Sequence, residues 1–162
     1  MDVAVIGAGN TGLTSVLQLL DISDKVYLIS KYPEPKADAI MVEKAKNNPK
    51  FELVPEAMTQ SINGTKFVES ITVKFPDGTT RTIPVKGVFI SIGYIPSTTC
   101  INGLVKLDKA GYVIVDERNM TSTQGIFAAG DVTNAPHKQI IIAAGQGANA
   151  VISIYDYLAG LN

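Results

Sequence analysis

The period of the apolar positions changes several times along the chain, and each change predicts an element. Val3-Ala4-Val5-Ile6 is an unbroken apolar run ending at Gly7, and beyond Gly12 the residues Leu13, Val16, Leu17, Leu19 and Leu20 recur at helical spacing. Asp21-Ile22-Ser23-Asp24 interrupts that helix, and Val26-Tyr27-Leu28-Ile29 predicts a second strand. Strand, tight turn, helix and strand make a βαβ unit, which implies a parallel sheet with a right-handed crossover. Pro33 and Pro35 punctuate the loop that follows, Lys36 to Asn47 predicts a helix, and Phe51 to Val54 a short strand.

From Ala57 to Val85 the period shortens to alternation. Phe67, Ile71, Val73 and Phe75 face Thr82, Ile83 and Val85 across the turn Pro76-Asp77-Gly78, which predicts an antiparallel meander. Gly87-Val88-Phe89-Ile90-Ser91-Ile92 reads as a continuous buried strand closing at Gly93-Tyr94-Ile95-Pro96. A first domain over residues 1–97 is therefore expected. Residues 98–162 offer two short strands, Tyr112 to Val115 and Ile126 to Ala129, and one long helix from Lys138 to Leu158. Three elements are too few for a core of their own, so this segment is expected to dock on something else.

Composition narrows the class. The 162 residues are 46% hydrophobic and 18% charged, enough for one domain with an appendage and too few for two nucleotide-binding domains. Fourteen basic and fifteen acidic residues give a net charge of -1 with no basic cluster, which argues against a nucleic-acid partner. The apolar stretches fall well short of the ~20 residues that cross a bilayer, so no membrane span is expected. Met1 to Ile6 lacks the basic flank and cleavage site of a signal peptide, leaving the cytoplasm as the expected compartment. With Cys100 and His137 the only residues of their kinds, no internal disulfide, CxxC pair or thiolate or imidazole metal site is expected.

Gly7-Ala8-Gly9-Asn10-Thr11-Gly12 fits the pattern G-x-G-x-x-G, a weak signal alone and a stronger one here because a strand precedes it and a helix follows. Gly7 makes the tight turn, Gly9 lets a pyrophosphate approach the backbone, and Gly12 brings helix and strand together. The helix N-terminus then offers free N–H donors and partial positive charge to the phosphates. Where NAD-preferring sites carry an acidic residue at the end of the second strand, this chain has Ser30-Lys31. A hydroxyl and an ammonium can receive a 2′-phosphate, and a lysine at a strand end can equally be solvated, so NADH versus NADPH stays open.

Ile126 to Asp131 predicts a strand ending in an aspartate, and Gly145 and Gly147 stand inside the last predicted helix, each at roughly 1 kcal/mol relative to Ala. Such small residues suggest close approach by a ligand or another backbone. Gly145-x-Gly147-x-x-Ala150 also fits the dinucleotide fingerprint, but only twelve residues follow it, so the region is read as helix.

Four segments stand in the order seen in the thioredoxin reductase family. They are the glycine turn, Ile92-Gly93-Tyr94-Ile95-Pro96, Phe127-Ala128-Ala129-Gly130-Asp131-Val132, and Lys138-Gln139-Ile140. Pro33 to Asp38 together with Lys138 to Ala143 look closest to the flavoprotein component of alkyl hydroperoxide reductase. The resemblance implies an α/β fold: a Rossmann-like NAD(P)-binding domain with an antiparallel meander, followed by the C-terminal portion of an FAD-binding domain. It implies that Gly7, Gly9, Asn10, Thr11 and Gly12 lie against NAD(P)H with Gly93 near its other side. It also implies that Gly130 and Asp131 meet FAD, and that Lys138, Gln139 and Ile140 border the flavin. In the family an FAD-binding half and a CxxC pair precede these segments, so the implied partner is that half or a separate subunit supplying it, with a thioredoxin-like or peroxiredoxin-type acceptor. Cys100 is read as an ordinary small side chain and His137 as a surface residue. The apolar wall such a half would cover predicts a homodimer or a swapped tail. The competing reading is a non-catalytic module that binds NAD(P)H without flavin.

Overall fold

A computed structural model describes residues 1–160 and divides the chain into two compact units, the first Met1–Gly93 and the second beginning at Tyr94. The first is built on a four-stranded sheet in the order β3-β2-β1-β7, with β1 Asp2–Ile6, β2 Lys25–Ile29, β3 Phe51–Val54 and β7 Gly87–Ile90 all parallel. Two helices, α1 Asn10–Ile22 and α2 Ala39–Lys46, belong to this unit. A second, antiparallel sheet carries β4 Met58–Gly64, β5 Val68–Lys74 and β6 Thr80–Pro84.

The unbroken apolar runs of β1 and β2 have a simple cause: both faces of the sheet are covered. Val3, Val5, Val26 and Leu28 point into one core with Leu13, Val16 and Leu20 of α1 and Ala45 of α2. The alternate residues Ala4, Tyr27 and Ile29 point the other way, into a core shared with Ile71, Val73 and Ile83 of the meander. Helices cover one face and the small sheet the other. Within the meander Ile71 stands opposite both Ile62 and Ile83, but Ile62 is exposed, so the buried row is supplied by β5 and β6.

Three expectations for this unit are corrected. Phe67 lies outside β5 and is exposed, because β4 ends at Gly64, the chain turns over residues 65–67, and β5 begins only at Val68. The strand expected over Gly87 to Ile92 ends at Ile90, and Phe89, Ile90 and Ile92 are exposed, because β7 is the outer strand of its sheet. The helix expected from Lys36 begins only at Ala39, since the Lys36 N–H is drawn to Ala8 O (2.8 Å) and the Asp38 N–H to Asn10 Oδ1 (2.8 Å).

The second unit is organised differently. The strands expected at Tyr112 to Val115 and Ile126 to Ala129 reduce to isolated bridges, Val113 with Leu107 and Thr133 and Phe127 with Met120, because no neighbouring ladder lies beside them to extend the pairing. Turns and side-chain bonds replace the ladder: Asp108 Oδ1 accepts the N–H groups of Ala110 and Tyr112, and Asp116 Oδ1 those of Arg118 and Met120. The long helix, α3, runs Ile140–Leu158 and takes Gly145 and Gly147 into its interior, so the second glycine fingerprint is helical as expected. Gln146 Oε1 accepts from the Gly130 N–H (2.8 Å), and Asn149 Nδ2 donates to Glu117 O (2.7 Å) and Asn119 Oδ1 (2.8 Å), fastening the helix to the loops. Its apolar residues Ile140, Ile141, Val151, Ile152, Tyr155 and Leu158 are exposed. Among the described residues no helix is long and apolar enough to cross a membrane, and no cluster of His, Cys, Asp and Glu is arranged to hold a metal.

Candidate functional site

The first unit carries a cavity of about 700 Å³ at the carboxyl ends of its parallel strands, lined by the glycine turn, by Ser30 to Tyr32 after β2 and by Ser91 to Gly93 after β7. Chain connections from β1 leave toward β2 on one side, while β7 lies on its other side, so the cavity sits where the strand order reverses. Open α/β sheets bind ligands at such a crevice because no crossover fills it.

The three glycines of the turn have separate jobs. Gly7 has φ +107, and a Cβ there would stand 2.2 Å from Ser91 O, so both backbone and space demand glycine. A Cβ on Gly12 would stand 1.8 Å from Gly7 O, so its absence lets α1 start directly against the turn. Gly9 differs: its φ of -91 suits any residue, and a Cβ would meet only Lys36 O at 3.9 Å. What a side chain at Gly9 would take up is room on the cavity wall, as a backbone approached by a ligand requires. Gly9 also caps α1 without any side-chain cap, and Leu13 is the first residue to bond back to it, Leu13 N–H to Gly9 O at 3.0 Å. The first-turn N–H groups are left for a partner, and α1 adds its positive end.

Asn10 and Thr11 line the cavity beside these glycines, and Gly93 lines its far edge with φ +99. Ser30 lines the cavity as well, and its hydroxyl bonds within its own turn. It is 1% exposed, and its hydroxyl donates to Tyr32 O (2.8 Å) and accepts the Tyr32 N–H (3.1 Å), so it fixes its own turn. Lys31 lines the cavity, together with two residues the sequence did not single out, Tyr32 and Lys36. Hydrogen bonds to Lys31 and then Lys36, with the charge of both, hold the Tyr32 phenol below its ordinary pKa. Thr59 also lines the cavity, and its hydroxyl finds no hydrogen-bond partner among the described residues. The only available signal for Tyr32 and Lys36 is their nearness in sequence to Lys31; Thr59, on β4, and Ser91, just after β7, come from distant parts of the chain and offer none.

In the second unit Asp131 and Lys138 line a smaller cavity, about 400 Å³, with Tyr94, Pro96 and Tyr112. The Lys138 ammonium donates to Thr133 O and lies 4.2 Å from the centre of the Tyr112 ring. Gly130, with φ +81, turns the chain into Asp131, whereas Gln139, the residue before α3, and Ile140, 91% exposed, are in neither cavity. Nothing lies within 4 Å of a Cβ built on Gly145 or Gly147. The close approach expected there is therefore made by no described residue.

A parallel sheet with a glycine turn at its switch point, a meander behind it and an Asp-bearing tail before a long helix define a nucleotide-dependent oxidoreductase fold. Residues 1–148 match the family described as Pyridine nucleotide-disulphide oxidoreductase, and the chain belongs to that family. It is 39% identical over 158 residues to an NADH dehydrogenase of Bacillus subtilis, and 37% identical over 158 residues to an alkyl hydroperoxide reductase component of Escherichia coli. These alignments cover 97% and 96% of the chain and 31% and 30% of the relatives. Among solved structures the thioredoxin reductase of Lactococcus lactis superposes with a TM-score of 0.86 at 27% identity, and that of T. acidophilum with 0.83 at 32%. The superpositions cover 98% and 99% of this chain and 53% of each reductase chain. The chain thus spans about a third of the length of the curated relatives it matches. Membership in this family implies flavin and nicotinamide cofactors.

Proposed function

We propose that this chain is the NAD(P)H-binding part of an FAD-dependent disulfide reductase and that the nucleotide occupies the cavity of the first unit. The observation that carries this reading is Gly9: its backbone and its surroundings tolerate a side chain, and a ligand approaching the cavity wall gives the missing Cβ a purpose. Gly7 and Gly12 hold the turn so that the first N–H groups of α1 meet the pyrophosphate, and Asn10 and Thr11 flank it. Bound there, the nicotinamide supplies a hydride, and a flavin is its acceptor in the intact reductase. Gly93, open and without a side chain, borders the nicotinamide end of the cavity in this reading.

Asp131 and Lys138, on one small cavity, support a wall for the flavin nucleotide in the second unit. A cavity of this size holds a portion of FAD, so firm flavin retention calls for the FAD-binding half, in the same polypeptide or in a partner. The exposed apolar face of α3 supports docking of such a half, or self-association where it is lacking. A thioredoxin-like or peroxiredoxin-type protein is the proposed final acceptor, by analogy with the relatives named thioredoxin reductase and alkyl hydroperoxide reductase. The name of the Bacillus subtilis relative makes NADH one nucleotide to test, and Lys31 makes NADPH the other.

Titrating the purified chain with NADH and NADPH and following nicotinamide fluorescence tests the reading. Gly9→Leu is expected to abolish binding of both while its thermal midpoint stays within a few degrees of the unaltered chain. Undiminished binding by Gly9→Leu would remove the cavity from the proposal.

A further inference from the structure

The same three residues, isoleucine, asparagine and glycine, occur twice in the chain, as Ile62-Asn63-Gly64 and as Ile101-Asn102-Gly103. An asparagine before a glycine carries its own reactant. The glycine nitrogen, unshielded by a side chain, can attack the asparagine side-chain carbonyl wherever the backbone between them is free to turn. The fold treats the two copies oppositely. Asn63 is half-buried and stands with Gly64 in the β4–β5 ladder, opposite Ser70 and Val68. Its Nδ2 donates to Ser70 Oγ at 3.1 Å and to Thr72 Oγ1 at 3.0 Å, so the amide is held on both sides. Gly64 is hemmed in as well, since a Cβ there would stand 2.0 Å from Phe67 O.

Asn102 and Gly103 are both exposed, just after one tight helical turn over Thr99–Ile101. Asn102 has φ -60 and ψ 130, Gly103 has φ +79, and the Leu104 N–H closes on Ile101 O at 3.0 Å, which together make a type II β-turn. The central peptide of that turn is untethered. Among the described residues none bonds to the Asn102 side-chain amide or to the Gly103 N–H, and nothing lies within 4 Å of a Cβ built on Gly103. The Asn102 N–H itself reaches Thr99 O only at 3.4 Å. Bringing the Gly103 nitrogen beneath the Asn102 side chain therefore disturbs little beyond the one bond that closes the turn. The same movement at Asn63 would part β4 from β5.

We propose that Asn102 is a site of self-modification, at which the chain converts its own asparagine to aspartate and isoaspartate with water as the only co-reactant. The Gly103 nitrogen bonds to Asn102 Cγ and the Cγ–Nδ2 bond breaks. Ammonia leaves, taking up the proton that the Gly103 N–H gives up. Water then opens the cyclic imide: opening at Cγ leaves aspartate, and opening at the main-chain carbonyl leaves isoaspartate, whose backbone runs through Cβ and Cγ and is longer by a carbon. Either product puts a carboxylate, ionised at neutral pH, where a neutral amide stood. The turn lies between Thr98, whose hydroxyl donates to Gly111 O at 3.0 Å, and Leu104, whose carbonyl accepts from the Thr123 hydroxyl. Isoaspartate thus slackens a loop that these two bonds pin at either end.

The test is to age the whole chain at mildly alkaline pH and follow its peptides by mass spectrometry for the amide-to-acid change, with an isoaspartyl methyltransferase reporting the isomer. A parallel sample unfolded in guanidinium chloride gives the rate of each pair without the fold. In the folded chain Asn102 should convert several times faster than Asn63, the two rates should converge in the unfolded sample, and methylation should map to residue 102. Asn102→Gln should remove the isoaspartate signal, and the double change Ser70→Ala/Thr72→Val, which frees the Asn63 amide, should bring Asn63 into reaction. Asn102 kept intact by the folded chain but lost from the unfolded one, or equal rates at the two pairs in the folded chain, overturns the proposal. Amide exchange at Leu104 should quicken in the isoaspartate fraction, and unchanged exchange there overturns the slackening of the loop.

Discussion

The two units of this chain are held by different means. Met1–Gly93 buries two apolar clusters on opposite faces of a parallel sheet, and nearly all the fully buried large side chains belong to it. Among the described residues from Tyr94 onward the buried apolar ones are Val105, Val113 and Ala150, and polar groups such as Asn119, Thr133 and Ser153 are buried alongside them. The first unit's order comes from packing and ladder hydrogen bonds, the second's from turns and a few bonds between α3 and its loops. A glycine, an asparagine or a charged residue therefore weighs differently according to the unit that contains it.

The sharpest way to break the comparison is through its glycines. Gly12→Ala forces a Cβ against Gly7 O, a backbone atom that cannot swing aside, and should cost ~3 kcal/mol or more, read as a fall of about 10 °C in the thermal midpoint of the first unit. In the second unit the same change runs the other way. Gly145→Ala or Gly147→Ala meets nothing within 4 Å and removes a flexible residue from a helix interior, so each should stabilise α3 by about 1 kcal/mol, seen as slower amide exchange along Ile140–Leu158. Should either substitution unfold α3, the helix is held by a contact at that glycine and the contrast between the units fails.

The smallest expected effect lies in the charges of the first unit. Glu52 on β3 receives Lys25 of β2 and Arg81 of β6, joining the two sheets at their rim. Burial works to raise its carboxyl, but hydrogen bonds from Lys25 and Arg81 and their charges prevail and hold it below the ordinary carboxylate value. A carboxyl depressed in the folded state stabilises above its unfolded pKa, and that contribution is lost as pH falls through the folded pKa. Glu52→Gln should thus lower the midpoint by ~2–3 °C at neutral pH, and the gap should close in acid. A gap of constant size across that range would mean the pair acts through shape rather than charge.

The sequence disclosed those elements whose partners are close along the chain. The βαβ unit and the Pro76-Asp77-Gly78 hairpin are set by local period and turn chemistry, and both are present with nearly the expected bounds. Tyr112 to Val115 has a strand's composition and still makes only bridges, because a strand exists only beside another and composition does not report the neighbour. At the site, Gly7, Gly9 and Gly12 were legible because their spacing is the mechanism. The commitment of Ser30 to its own turn was not, since a hydroxyl after a strand can face a ligand or bend back, and the Tyr32 backbone decides between them. Period alone makes Lys36 the start of a helix, whereas its N–H bonds to Ala8 O and the residue lines the cavity.

The bonds that join the Lys36 loop to the glycine turn also bear on how binding would be apportioned between heat and disorder. Asn10 and Asp38 hold each other through two hydrogen bonds, and Lys36 closes on Ala8, so both loops at the mouth of the cavity are fastened by the chain's own atoms. A segment already immobilised has little conformational freedom left to surrender when a nucleotide arrives. Calorimetry should then record an association driven by enthalpy with only a small opposing entropy, the thermodynamic mark of a mould rather than of a closing hand.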